Sequence, residues 1–398
     1  MHFAVFQLSV FIHYNIFRTF FQYFSLFFKS TGKKSKFQRS SVDIFCRKCY
    51  NNLKRTAWRG GGAMNYSDKA KLERLANTVE INCRVTRMYA DYLERYPEVI
   101  TADMVNALTE DGVITREEAI VAILSELFGL DMQNGPEDRR IIMDYLTPSV
   151  RILDAIRYTE NPYYKNVKIE NVKDGAWELR REHYEPYRAI VAGDMMMDGY
   201  KEVAPLGFFP ERFDFPAVLE DGNEWMTLTP VDLDTCDEAI EAAHGKVVTF
   251  GLGLGYYAYM TARKPEVDSI TVIEKSPEVI RLFEKHILPY FENPEKLRII
   301  CADAFEYAEH EMPSENYDFA FVDTWRDASD GAPMYEKMCA LEHLSSQTRF
   351  KYWIENFLIS RIRYLRFCEI YDSIESGAVD APSSFAEVEN LLSLKSEK

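Results

Sequence analysis

The sequence predicts an α/β protein built on a doubly wound parallel sheet, preceded by a helical region and a small β-rich segment. Three observations carry that expectation. Residues 246–250 (Lys-Val-Val-Thr-Phe) form an apolar, β-branched run that enters a turn of Gly251, Leu252, Gly253, Leu254 and Gly255, and a helical pattern opens at Tyr256. Three later runs repeat the plan, each a buried-strand pattern closed by an acid: 269–273 before Glu274, 297–302 before Asp303, and 317–322 before Asp323. Helical patterns separate them, such as 277–288 with Val279, Ile280, Leu282, Phe283 and Ile287 on one side, so the order reads β-α-β-α-β-α-β. In such sheets ligands lie beyond the carboxyl ends of the strands, where all four features fall.

Taken from the N-terminus, composition changes abruptly at Met64. Residues 1–63 hold 11 Lys/Arg against the single acid Asp43, and 11 of the 26 phenylalanines; the remainder has 36 basic and 62 acidic residues, net −26. The aromatic run 1–28 can be read as a membrane anchor, but Arg18, His2, Gln7, His13, Asn15 and Gln22 break it short of the ~20 apolar residues a span needs. No small-x-small site follows for a cleaved signal. The segment reads as a doubtful leader: Arg59, Gly60, Gly61, Gly62 and Ala63 are what a purine-rich bacterial ribosome-binding site would encode, and the Phe-, Tyr-, Ile-, Lys- and Asn-rich text is what AT-rich untranslated DNA would encode.

Residues 64–160 read as a helical accessory domain. Apolar and aromatic residues recur at helical spacing over 66–96, and Pro97 ends the pattern. A helix over 101–108 and the Asp111, Gly112 turn follow. Thr115 and Glu118 then form a capping box that opens a helix over 119–128, closed by Gly129. In outline the pair is a helix-turn-helix, but the surrounding charge is acidic and lacks the basic stripe a phosphate backbone demands. An accessory or homodimerising role is expected, with no nucleic-acid partner.

Residues 161–228 read as a small β-rich segment. Asn161, Pro162, Tyr163 and Tyr164 suggest a turn before a strand, followed by strands at 167–169, 177–179 and 187–191, with a turn at Asp174 and Gly175. Thr229, Pro230 and Asp232 then supply an N-cap, a first-turn proline and an acid at the third position of a helix running to His244. Past the fourth strand of the main unit, 348–354 fits a fifth strand and 355–374 a helix. No hairpin follows, so the sheet edge is expected to be truncated or covered by helices.

The glycine turn narrows the ligand. A nicotinamide fingerprint has glycines at the first, third and sixth positions, and Tyr256 holds the sixth here. Glu274 lies 23 residues after Gly251, the spacing at which an acid meets ribose hydroxyls. No Gly-Lys-Ser/Thr follows, which excludes a P-loop.

Phe250 to Gly255, Val272 with Ile273 and Glu274, Cys301 with Ala302, Asp303 and Ala304, and Tyr317 to Asp323, in that order, resemble the class I S-adenosylmethionine-dependent methyltransferases. The nearest branch in pattern is the one that includes spermidine-synthase-like proteins, and the resemblance covers roughly residues 220–360. It implies a Rossmann-like methyltransferase sheet over 229–398, with a helical C-terminus, that binds S-adenosyl-L-methionine. Phe250, Gly251, Gly253 and Gly255 would pass the methionine part, Glu274 would hold the ribose, and Asp303 with Ala304 would flank the adenine. By the same analogy Glu224, Trp225, Met226 and Thr227 would wall the site.

Two departures from that branch matter. Aminopropyltransferases carry an aspartate inside the turn, where this chain has Leu254 and Tyr256, and an Asp-Ser/Thr-Thr-Asp-Pro loop after the fourth strand, where it has Asp323, Thr324, Trp325, Arg326 and Asp327. Methyl transfer to a small or cationic acceptor is therefore expected ahead of polyamine aminopropyl transfer. A non-catalytic nucleotide-binding or interaction protein of the same fold is a third reading. Positioning supplies most of the acceleration in such a transfer, and an amine or hydroxyl acceptor also needs a base. Asp323 and Asp327 are the candidates to hold or deprotonate the acceptor, and Trp325 to face a cation. Their ordinary alternatives are a loop-orienting acid, a helix cap and a core side chain.

Seven cysteines, at 46, 49, 83, 236, 301, 339 and 368, make no disulfide framework and agree with a cytoplasmic protein. Cys46 and Cys49 have zinc-knuckle spacing without a second pair, and His244 and His286 read as helix-end or surface residues, so no metal is expected. No membrane partner is expected either. The acidic body suits a cationic small-molecule substrate, although net charge speaks only to steering and solubility.

Overall fold

A computed structural model of the chain describes residues 65–169, 171–376 and 382–392. The leader 1–63, with Cys46 and Cys49, lies outside the described residues. Helices α1 (Tyr66–Arg95), α2 (Ala102–Thr109), α3 (Arg116–Leu127) and α4 (Pro136–Ile141) come first, the last continuing through a π-helical turn at Ile142–Leu146. Asn65 caps α1 by accepting the Asp68 N–H at 2.9 Å, and the helix ends before Pro97. The capping box at α3 forms as its sequence spells it: Glu118 donates its N–H to the Thr115 hydroxyl at 3.2 Å, and Thr115 donates its own to the Glu118 carboxylate at 2.8 Å. Removing that hydroxyl in Thr115→Ala is expected to cost about 1 kcal/mol. Thermal melting should register this as a midpoint about 2–4 °C lower.

The next stretch is irregular and β-rich: β1 (Val150–Ile152), α5 (Ala155–Thr159), α6 (Pro162–Asn166), β2 (Val172–Asp174), β3 (Trp177–Tyr184), β4 (Ala189–Val191), β5 (Met196–Asp198), β6 (Lys201–Val203), β7 (Leu206–Phe208), β8 (Phe213–Glu220) and β9 (Asn223–Thr227). Two expectations change here. Asn161 and Pro162 open a helix rather than a turn, because the Asn161 side chain accepts the Tyr163 N–H at 2.9 Å and proline suits the first helical position. Val167 consequently caps that helix, so 167–169 forms no strand and its buried Val167 and Ile169 join the core without pairing. β8 and β9 form a hairpin whose Asp221 and Gly222 both take positive φ, 51° and 81°, as a two-residue turn of the primed type requires.

β1 pairs in parallel with β7, which also pairs with β4. Val150, Leu206 and Phe208 thereby enter the same core as Val85, Tyr89, Ile120 and Leu124 of α1 and α3. The core of the helical region thus closes with strands from beyond residue 160.

The main unit follows: α7 (Pro230–Ala242), β10 (Gly245–Phe250), α8 (Tyr256–Ala262), β11 (Val267–Glu274), α9 (Pro277–His286), β12 (Leu297–Cys301), α10 (Ala304–His310), α11 (Met312–Glu315), β13 (Phe319–Val322), α12 (Ala328–Leu341), β14 (Arg349–Tyr352), α13 (Glu355–Glu375) and α14 (Phe385–Leu392). Its five strands are all parallel, in the order β12-β11-β10-β13-β14. This is the expected Rossmann-like methyltransferase arrangement. β10, β11 and β13 read as near-continuous apolar runs because helices cover both sheet faces; all four β13 residues are buried. Strand order reverses between β10 and β13, so a crevice opens there at their carboxyl ends.

The fifth strand and the long helix after it appear where expected. Asp194, from the loop between β4 and β5, accepts the Asn356 N–H at 2.9 Å on one oxygen and the Phe357 N–H at 3.0 Å on the other, capping α13 from 162 residues away. Just before that cap, Ile354 sits at φ +47°, a left-handed conformation that strains a β-branched residue. Among the described residues, no helix is long and apolar enough to cross a membrane.

Candidate functional site

The glycine turn lies at the β10/β13 crevice. Gly251 takes φ +99°, and a Cβ there would run into the backbone carbonyl oxygen of Asp323. The two strand ends are held together by the Asp323 N–H donating to the Phe250 carbonyl at 2.8 Å, while the Gly251 N–H donates to Ile273 of β11 at 2.8 Å. Gly253 (φ +52°) is covered by the Met226 side chain, and Gly255 (φ +71°) by the Phe283 ring. Each glycine therefore serves both a left-handed conformation and a close approach.

Behind the turn stands α6, which the sequence did not point to. The Tyr163 hydroxyl donates to the Leu254 carbonyl at 2.5 Å, and the Asn161 amide donates to the Tyr256 hydroxyl at 3.0 Å. These bonds satisfy polar groups of a turn otherwise packed among aromatic rings, with Tyr163 edge-on to both Tyr256 and Tyr259.

In front of the turn is a cavity of about 20 Å³, walled by Gly251, Asp323, Asp232, Cys236, Met226 and Trp353 among others. That is room for about one water molecule. None of its lining residues is Lys, Arg or His. Burial, with the negative charges of Asp232 and Glu274, pushes the Asp323 carboxyl up to about 8. Burial likewise carries Asp232 to about 6, although it accepts the Thr229 N–H at 2.7 Å and the Thr229 hydroxyl at 2.9 Å. The Cys236 thiol is held well above its usual range, by burial first and then by the nearby acids. An incoming cation would meet acids alone, and Asp323 would lose its proton to that cation's field.

The other predicted residues divide. Glu274 is buried at the end of β11; its carboxylate accepts the Leu252 N–H at 3.1 Å and the Ser276 N–H at 2.7 Å, tying the turn to the next strand. Asp303 caps α10, accepting from Phe305 at 3.0 Å and Glu306 at 3.3 Å, with Lys275 at 3.4 Å. Burial works against its ionisation, but these N–H bonds and Lys275 hold its carboxyl below the usual range. Ala304 is the first residue of that helix, and Phe250 is fully buried beneath the turn.

The structure does not bring Trp325 or Asp327 to the cavity. Asp327 caps α12, accepting the Ser329 N–H at 2.6 Å and the Ser329 hydroxyl at 2.5 Å, and these bonds hold its carboxyl low. Trp325 is 6% exposed, packed against Gly331 and stacked on Tyr352 with ring centres 6.4 Å apart. The Asp327–Asp330 capping box ties that acid into the first turn of α12. Asp323, on the strand side of the loop after β13, remains at the cavity. Asp232 and Cys236 are additions the sequence did not single out as site residues. The only signal for Asp232 was its place as the third residue of a capped helix.

No family model matches the chain, and no curated protein matches it. Among solved structures, a spermidine synthase from Thermotoga maritima is similar over 38% of this chain and 58% of its own, at 15% identity and a TM-score of 0.27. A spermidine synthase in complex with the transition state analogue AdoDATO is similar over 34% of this chain and 50% of its own, at 18% identity and a TM-score of 0.25. The chain thus spans between 50% and 58% of the length of these structures. The fold assignment rests on the strand order and the parallel register.

Proposed function

We propose that the chain binds S-adenosyl-L-methionine over the glycine turn and catalyses methyl transfer to a small or cationic acceptor held at Asp323. The observation that carries this reading is the cavity at the strand-order reversal, bounded by Gly251 of the glycine turn and by acids with no cation among them. That donor set suits a sulfonium. When bound, the ligand supplies an electrophilic carbon and a neutral thioether leaving group. The chain supplies the rest. Gly251 and Gly253 allow backbone to approach the ligand, Glu274 holds the turn in shape, and Asp323 ionises as positive charge arrives and accepts the proton an amine acceptor releases. Until that proton leaves, Asp232 steadies the positive charge of the sulfonium and of the ammonium the acceptor becomes.

One observation favours a second reading, aminopropyl transfer from decarboxylated S-adenosylmethionine. The lining offers no Lys, Arg or His to pair with the methionine carboxylate. A ligand lacking that group would leave nothing unpaired.

Calorimetry with S-adenosylmethionine, its decarboxylated form and S-adenosylhomocysteine separates the cases. Preference for the first or third supports methyl transfer, preference for the second promotes the alternative, and heat from none sinks both. Glu274→Ala frees the Leu252 and Ser276 N–H groups. It is expected to weaken nucleoside binding about tenfold, the loss of a charge-assisted hydrogen bond. Unchanged affinity in Glu274→Ala and Asp303→Ala together would refute the site.

A further inference from the structure

Met226 covers the glycine turn from the neighbouring sheet. β9 is an edge strand, hydrogen-bonded to β8 alone. A register shift between Val218 and Leu219 leaves Trp225 as the extra residue, between the pairs Val218 with Met226 and Leu219 with Glu224. Trp225 is anchored edge-on against Trp177, ring centres 5.4 Å apart. Met226, next in line, lies over Gly253 and accepts the Leu254 N–H on its sulfur at 3.2 Å. A thioether is a weak acceptor, so this turn N–H is held by a partner that a carboxylate, hydroxyl or carbonyl oxygen can displace.

We propose that Met226 is a displaceable plug: it occupies the surface over Gly253 and the Leu254 N–H, and it must swing aside before a nucleoside can settle on the turn. This rests on the nucleoside reading of the site. A cavity of about 20 Å³ has to open before a ligand of that size enters, since such sites run to about 300 Å³ or more. Three of its walls are fixed. Asp232 is tied into the first turn of α7, Asp323 follows directly on the inner strand β13, and Gly251 is backbone locked between two strands. Met226 has three rotatable bonds and stands on the edge strand, so its movement disturbs the least structure.

A plug that is in place most of the time lowers apparent affinity by the fraction of time it is out. Met226→Ala is therefore expected to bind S-adenosylhomocysteine about fivefold to tenfold more tightly, with faster association. Met226→Leu, similar in volume, should stay within about twofold of the parent. A second measurement uses the unaltered protein, with peroxide oxidation of Met226 followed by peptide mass spectrometry. Saturating S-adenosylhomocysteine should speed its oxidation several-fold by expelling it. Binding by Met226→Ala that is no tighter than the parent, or protection of Met226 by the nucleoside, would overturn the plug and make Met226 a fixed wall. Heat from none of the proteins would overturn the nucleoside reading itself, and the plug with it.

Discussion

Asp323→Asn is expected to lower turnover by about 10²- to 10⁴-fold, the range for losing a general base, while affinity for the thioether nucleoside S-adenosylhomocysteine stays within about threefold. The same substitution should make the protein more stable at alkaline pH. In an unfolded chain an aspartate ionises near 3.9, whereas burial and the charges of Asp232 and Glu274 raise folded Asp323 to about 8. The native state therefore binds the extra proton between those values. Its stability falls as pH rises from about 4 to about 8, the opposite of a salt-bridged aspartate. Contact with the cavity screens part of this, leaving about 2 kcal/mol at pH 8. Asparagine abolishes the titration. Melting at pH 5 should barely distinguish the two proteins, while at pH 8 the variant should melt about 4–8 °C higher. A gap that does not widen with pH would mean Asp323 does not ionise in that range. Activity in the parent should rise toward pH 8, with the midpoint moving down when a cationic ligand saturates the site.

Among the described glycines, Gly251→Ala should be the most damaging substitution. The position needs φ +99°, and the added carbon meets the Asp323 carbonyl oxygen, which is backbone and cannot rotate away. Backbone strain and overpacking together suggest a loss of about 3–5 kcal/mol. The melting midpoint should then fall by about 10 °C or more. Gly253→Ala is the internal control: what it meets is the free end of Met226. It should therefore cost only about 1 kcal/mol, the penalty of a left-handed alanine. Equal losses at the two positions would show that the Gly251 backbone can move away from the Asp323 carbonyl.

The sheet was legible because its three inner strands are buried on both faces, which writes them as unbroken apolar runs that a helix-period pattern does not imitate. The caps at Thr115 and Thr229 were legible because both partners lie within four residues. Asp232 escaped as a site residue because its meaning depends on Asp323, 91 positions later. Asp327 looked chemical for a related reason: an acid after a strand can cap the next helix or face a ligand, and only the closure by Asp330 and Ser329 decides. Residues 161–169 were misread because Asn-Pro serves a turn and a helix start equally. The buried contacts of Tyr163 and Asn161 with the glycine turn, some 90 residues away, select the helix.

The bond from Asp194 to the start of α13 also sets a timetable for synthesis. A ribosome adding about 5–20 residues per second needs about 8–30 s to deliver Asn356 after Asp194 has been made. Throughout that interval the Asp194 carboxylate has no helix to cap, and Trp353 and Ile354 are added only at its end. The cavity's last wall is therefore the final piece of the site to be made. A nascent chain released short of residue 353 would emerge with its glycine turn complete and its crevice open on the Trp353 side.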